Sequence, residues 1–207
     1  MSNLLEKLQK DIRYIDGLKA CINCGVCTAI CPAAEFNDYD PRQIVDIVQT
    51  GNEDYIIDLL KSDTIWYCGE CLSCKTRCPR GNTPGYIIQS LRQLSQTEGY
   101  FTESERGRQQ LEVKRKIGDV MLKYGYCIHV DEINTIDHPE QGPVWDWFRQ
   151  NTESILAKLG ANYKGKGAGT LREISETDLN ELRNIFEVTG AMKRFETIEK
   201  QSNDSRR

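Results

Sequence analysis

Apolar residues recur at helical intervals along almost the whole chain. Leu4, Leu8, Ile12 and Ile15 fall on one helical face ahead of Gly17. Asp40 and Pro41 read as an N-cap and a first helical residue with Gly51 as the stop, and EDYIIDLLK follows as a second short helix. Thr83 and Pro84 open another, with Ile87, Leu91 and Leu94 in phase. Further on, Thr102 and Glu105 make a capping box, and Val113, Ile117, Val120, Met121 and Tyr124 form an apolar stripe. DEINTIDHPEQGPVWDWF predicts an ordered loop entering a helix, and GANYKGKGAGT a glycine-rich loop. Ser175 and Asp178 suggest a capped helix over TDLNELRNIFEVTG, and the tail QSNDSRR is expected to fray. The pattern predicts an all-α protein.

Composition narrows this picture. The chain has 207 residues, 28% charged and 39% hydrophobic, an ordinary soluble profile. No apolar run approaches the roughly 20 residues that cross a bilayer. The amphipathic N-terminus lacks the apolar core and cleavage site of a signal peptide, which predicts a cytoplasmic location. The formal net charge is −4 with every cysteine counted as neutral, and metal-bound thiolates would push it lower. Nucleic acid is therefore disfavoured as a partner, and no polybasic stripe suits an anionic membrane.

The chemistry lies in the nine cysteines. Cys21, Cys24, Cys27 and Cys31, then Cys68, Cys71, Cys74 and Cys78, form two copies of C-x2-C-x2-C-x3-C-P. Disulfides would suit a secreted chain with an even count. Zinc sites use pairs of hooks separated by a longer loop. Three cysteines in two-residue steps, a fourth cysteine and a proline match instead the ferredoxin spacing for 4Fe–4S clusters, and the duplication predicts two of them. In two-cluster proteins of this kind the fourth cysteine serves the other cluster. That assigns Cys21, Cys24, Cys27 and Cys78 to one cluster, and Cys68, Cys71, Cys74 and Cys31 to the other. Gly25 and Gly69 are expected to let the backbone approach the inorganic sulfurs. Cys127 stands alone and reads as a small buried residue, and His129 and His138 show no ligand spacing. Gly160, Gly165 and Lys166 nearly match a phosphate-binding loop, but Gly167 stands where Ser or Thr is needed and SILAKLG looks helical.

The connection between Cys31 and Cys68 holds two helical segments rather than strands and turns. That favours an α-helical ferredoxin domain over residues 1–100, with 101–207 a helical extension acting as a docking surface or a structural cover. Lys75, Arg77 and Arg80 flank the second motif, whereas INCGVCTAIC is uncharged. Nearby cations favour the reduced cluster, so the one held mainly by Cys68, Cys71 and Cys74 is expected to have the higher potential. In the extension, Val144, Trp147 and Phe148 share a helical face and are expected to pack inward, leaving Trp145 as an exposed anchor in an acidic rim.

The N-terminal helix, the duplicated CxxCxxCxxxCP, the helical spacer, SLRQLSQTEGY and LRNIFEVTGAMKRFE together resemble the C-type subunit of heterodisulfide reductase. DHPEQGPVWDWF is similar to the bacterial heterodisulfide-reductase-like branch linked to sulfur oxidation. The resemblance implies a non-catalytic relay carrying single electrons between a flavin-containing A-type subunit and a B-type subunit that performs the disulfide or sulfur chemistry. This chain has no adjacent cysteines of the B-type signature, and the resemblance gives Cys127 no role. Similar helical ferredoxin modules also serve quinone-linked and hydrogenase-linked complexes, which remain the alternative client.

Overall fold

The computed structural model describes residues 4–204, and among them there is no strand. The helices run in chain order as α1 (Leu4–Gln9), α2 (Ile12–Gly17), α3 (Val26–Ala29), α4 (Pro32–Phe36), α5 (Pro41–Thr50), α6 (Glu53–Lys61) and α7 (Ser73–Arg77). Then come α8 (Pro84–Glu98), α9 (Glu105–Val113), α10 (Val120–Tyr124), α11 (Gly142–Gln150), α12 (Thr152–Lys158), α13 (Glu176–Val188) and α14 (Ala191–Asp204). The fold is all-α, and no helix among the described residues is long and apolar enough to cross a membrane. Two compact units divide the chain: one takes residues up to Gln110 and from Glu196 onward, the other Leu111–Phe195.

The first unit is organised around α8. Ile87, Ile88, Leu91 and Leu94 make its buried face, which meets α1, α2, α5, α6 and α7. Leu4 and Leu8 come from α1, Ile44, Val45 and Val48 from α5, and Ile56, Leu59 and Leu60 from α6. Each large aliphatic side chain contributes about 1.5–3 kcal/mol on burial. Asp40 caps α5 by accepting from Arg42 N and Gln43 N, and Asn52 caps α6 in the same way. Gly17 lets α2 lie against the start of α8. Thr83 N donates to Gly17 O at 2.7 Å, and a Cβ on Gly17 would stand 3.0 Å from Tyr86 Cβ. The end of α14 belongs to this unit, with Ile198 buried and Gln201 Nε2 donating to Thr97 O at 3.3 Å.

Three local expectations are corrected. The N-terminal stripe does not form one helix. Asp11 accepts from Arg13 N at 2.8 Å, caps α2 and breaks the phase. Leu4 and Leu8 are buried, while Ile12 and Ile15 are exposed. Aspartate favours this cap because its short carboxylate satisfies a free amide that a helix interior would not offer. The cap of α9 is Ser104, whose hydroxyl accepts from Gly107 N at 2.7 Å, whereas the Thr102 hydroxyl donates to Gly99 O. At the C-terminus, α14 continues through Asp204, and the rest of the expected frayed tail lies outside the described residues.

In the second unit a π-helical stretch, Lys114–Asp119, links α9 to α10. Its wider turn shifts the helical phase. Val120 is therefore buried, while Val113 and Ile117 of the same sequence stripe are exposed. The expectation for α11 is reversed at Val144, Trp145 and Trp147 and holds at Phe148, which is half-buried. Trp145 is half-buried, donates from Nε1 to Ile133 O at 3.0 Å and stacks on Phe148 at 4.9 Å, while Trp147 and Val144 are exposed. The indole N–H needs a partner, and the Ile133 carbonyl in the preceding loop supplies it, which sets the rotation of the helix. The glycine-rich loop after α12 is held by Asn162 Nδ2 donating to Lys166 O and Ala168 O. A helix, not a strand, precedes this loop, which is the wrong context for a phosphate-binding turn.

Candidate functional site

The two cysteine motifs fold into near copies of one loop. Asn23 and Glu70, two residues after the first cysteine of each motif, have φ of 59° and 55°. Gly25 and Leu72, one residue after the second cysteine, have φ of 77° and 58°. A short helix, α3 or α7, starts at the next residue in each case. Cys31 and Cys78 then leave in extended conformations, with φ, ψ of −78°, 117° and −73°, 119°. The left-handed residues turn amides back toward sulfur: Asn23 N donates to Cys21 Sγ and Glu70 N to Cys68 Sγ, both at 3.4 Å. Gly25 takes its left-handed position without Cβ strain, but its counterpart is Leu72, which incurs about 1–2 kcal/mol there. Gly69 is equivalent to Ile22 and has no positive φ, so the left-handed turn of the second loop falls on Glu70 and Leu72.

The pairing of the two loops decides which thiols meet. Cys21, Cys24, Cys27 and Cys78 line one cavity together with Arg42, Arg80 and Asn82. Cys31, Cys68, Cys71 and Cys74 line a second, walled by Tyr39, Tyr67, Phe36 and Gly85. The last cysteine of each motif thus faces the cavity of the other. Among the described residues no three His, Cys, Asp or Glu side chains converge on a point that would hold a single ion. The thiols border cavities instead.

The surroundings fit a sulfur-rich group. Four thiols around each cavity supply the donors that a 4Fe–4S cubane takes. Asn82 N donates to Cys78 Sγ at 3.2 Å. Asn82 lines the first cavity and Tyr39 the second, and the buried Nδ2 of the one and Oη of the other have no partner in full hydrogen-bond geometry. Burial pushes the Cys27 thiol up to about 11 and raises Cys74 as well. The exposed Cys71 thiol is held below its ordinary value by Ser73. Burial, with the Cys68 and Cys31 thiols added, keeps the Tyr39 phenol protonated far above neutral pH.

Two residues invisible to sequence reasoning hold the loops in place. Gln49 clamps the first: Cys21 N donates to Oε1 at 2.6 Å, and Nε2 donates to Cys21 O at 3.2 Å. Arg92 clamps the second, donating to Ile65 O at 2.7 Å, Cys68 O at 2.6 Å and Glu70 Oε1 at 2.6 Å. Both lie on amphipathic helices among other polar residues, and no local motif marks them. Arg42 pairs with Asp40 at 2.7 Å and also donates to Asn23 Oδ1, tying the cap of α5 to the first loop. Cys127 lines neither cavity. It is exposed, correcting the expectation of a buried residue, because Gly125 ends α10 just before it and the chain runs on at the surface. His129 is buried and stacks on Tyr124 at 4.1 Å.

Residues 17–82 match the family described as a 4Fe-4S dicluster domain, a span that contains both motifs. Over 94% of its length the chain is 35% identical to the C-type subunit of ferredoxin:CoB-CoM heterodisulfide reductase from Methanosarcina acetivorans, covering 72% of that protein. It is 35% identical to a C-type subunit of the H2/formate:CoB-CoM heterodisulfide,ferredoxin reductase of Methanococcus maripaludis, over 73% of this chain and 78% of that one. A C-type iron-sulfur subunit of CoB–CoM heterodisulfide reductase from Methanocaldococcus jannaschii is 28% identical over 83% of this chain and 74% of its own.

Proposed function

The chain belongs to the family of C-type heterodisulfide reductase subunits, and from that starting point we propose that it relays single electrons through two 4Fe–4S clusters between a flavin-containing A-type subunit and a sulfur-active B-type subunit. It is an iron–sulfur, electron-transfer subunit of that family. Cys21, Cys24, Cys27 and Cys78 hold one cluster, and Cys31, Cys68, Cys71 and Cys74 the other. The grouping of these thiols around two separate cavities is the observation that carries the assignment. When bound, each cluster takes up and gives back one electron at a time.

The chain's own groups do the rest. All eight motif cysteines are consumed as ligands, so none is left over as a nucleophile or to open a site for substrate. The amides of Asn23, Glu70 and Asn82 point at ligand sulfurs and stabilise thiolate charge. Gln49 and Arg92 fix the first cysteine of each loop, which spares the site a large rearrangement on electron arrival. Residues 101–207, which carry no ligand, serve as a docking surface or cover for the cluster domain. A cytoplasmic role in sulfur metabolism is the narrower reading, supported by the likeness of DHPEQGPVWDWF to the sulfur-oxidising branch.

Protein prepared without oxygen should hold about eight iron atoms per chain and show two reducible cubane signals. Stoichiometric zinc with little iron would overturn the cluster assignment. Capture of the native complex should bring down A- and B-type subunits. Recovery of a quinone- or hydrogenase-linked enzyme instead would keep the relay and replace its client.

A further inference from the structure

Among the described residues, four buried side-chain polar atoms lack a hydrogen-bond partner: Tyr39 Oη, Trp66 Nε1, Asn82 Nδ2 and Gln201 Oε1. Two of the four belong to residues that line the cysteine cavities, one in each. Such a group gives up its hydration on folding and gains no partner in return, which is destabilising. Both residues are almost fully enclosed, Tyr39 at 4% exposure and Asn82 at 2%, so bulk water does not satisfy them.

The identity of each orphan atom is fixed by its surroundings. Lys19 N donates to the Asn82 oxygen, so the other amide atom must be the NH2, a pure donor. Its cavity holds Cys21, Cys24, Cys27 and Cys78, and the backbone amide of Asn82 already points at Cys78 Sγ. Tyr39 is held by the core around α5 and α8 and meets the Tyr67 ring edge-on at 6.3 Å. Its hydroxyl lies beside the thiols of Cys68 and Cys31 and interacts with Cys68, but the contact falls short of full hydrogen-bond geometry. A phenol is a donor at neutral pH.

We propose that Tyr39 Oη and Asn82 Nδ2 each donate a hydrogen bond to cluster sulfur, thiolate or sulfide, in their own cavity, and that these two donors tune the two reduction potentials separately. The proposal rests on the cluster-binding reading above and adds the residues that set its energetics. Reduction concentrates negative charge on sulfur, and a donor stabilises the reduced form more than the oxidised one. Each donor therefore raises the potential of one cluster and leaves the other alone. The two motifs are near copies, but Asn82 and Tyr39 come from different places in the chain, so the duplication does not force the clusters to behave alike.

The test compares wild type with Tyr39→Phe, a change that removes one oxygen and keeps the ring. Both are prepared without oxygen, assayed for iron and titrated under paramagnetic-resonance detection. Tyr39→Phe should keep its iron while one midpoint falls by about 59 mV, a tenfold shift of that one-electron equilibrium toward the oxidised form, and the other stays put. In deuterated buffer, wild type should show at each reduced cluster one coupled exchangeable deuteron beyond those of the backbone amides of Asn23, Glu70 and Asn82. Tyr39→Phe should lose one coupling and Asn82→Ala the other. Unmoved midpoints in Tyr39→Phe with full iron, or equal movement of both, would overturn the tuning role while leaving the cluster assignment standing. If a variant loses iron, wild type decides: clusters whose coupled exchangeable deuterons are those of the backbone amides alone sink the proposal. Absence of cubane clusters from wild type would overturn the underlying assignment.

Discussion

The two cysteine cavities start from the same loop and end in different surroundings. The first is lined by Arg42, Arg80 and Asn82. The second is walled by Phe36, Tyr39 and Tyr67, and no charged side chain lines it. Sequence proximity points the other way, because Lys75, Arg77 and Arg80 all flank the second motif. The crossing explains the inversion. Cys78 lines the first cavity with Arg80, and α5 adds Arg42. Lys75 lies 5.3 Å over the Tyr86 ring instead, and neither it nor Arg77 lines either cavity. A charge beside a ligand in the chain acts at whichever cavity that ligand reaches. Arg42 and Arg80 thus act at the Cys21, Cys24, Cys27 and Cys78 cavity, while the cation beside the second is Arg92, on the Cys68 carbonyl, and not the flanking Lys75 or Arg77.

The hardest test of this contrast exchanges the two crossing ligands. Cys78→Ser should remove the cluster in the arginine-lined cavity, about half of the roughly eight irons, and keep the other. Cys31→Ser should do the converse. If Cys78→Ser gives the same residual spectrum as Cys71→Ser, the ligands do not cross. A smaller effect is expected from α8, where a Cβ on Gly85 would stand 2.9 Å from Leu72 Cδ2 and 3.9 Å from Cys74 Sγ. Gly85→Val should cost about 1–3 kcal/mol in melting and deplete iron from the aromatic cavity alone. Loss of both clusters together would show that the cavities are not independent. The smallest change is electrostatic. Arg80→Gln and Arg42→Gln should each lower the potential of the first cluster by an amount worth roughly 1 kcal/mol, and Lys75→Gln should move neither. A redox titration in which Lys75→Gln has the larger effect would restore the reading from sequence proximity.

Much of the first unit is legible because its signals are local. Asp40-Pro41 and Thr83-Pro84 start helices where the chain says they should, and Ile87, Leu91 and Leu94 are buried in the predicted phase. The cysteine spacing picks out, for the same reason, the eight thiols that border the two cavities. What stays hidden depends on partners distant in sequence. Gln49 and Arg92 look like any polar residue on an amphipathic helix until the loops they clamp are in place. Asn82 and Tyr39 carry no motif, and only the folded structure shows each with a buried polar atom short of a geometrically satisfied hydrogen bond. The inward turn of Trp145 follows from one carbonyl, Ile133 O, that helical periodicity cannot see. The π-helical stretch likewise cancels a stripe that is regular in the sequence, since a wider turn adds rotation that a fixed period of 3.6 omits.

The crossing also sets the order in which the molecule can be assembled. With the proposed ligands, the chain segment from Cys31 to Cys68 forms an inner loop nested inside the one from Cys21 to Cys78. Closing the inner loop first shortens the free path of the outer one and lowers its closure entropy, so each inserted cluster makes the next easier to insert. Neither motif can complete a cluster alone, and a nascent chain must expose both before either is finished. With the same ligands, loss of one cluster would leave the other still tying the first loop to the second.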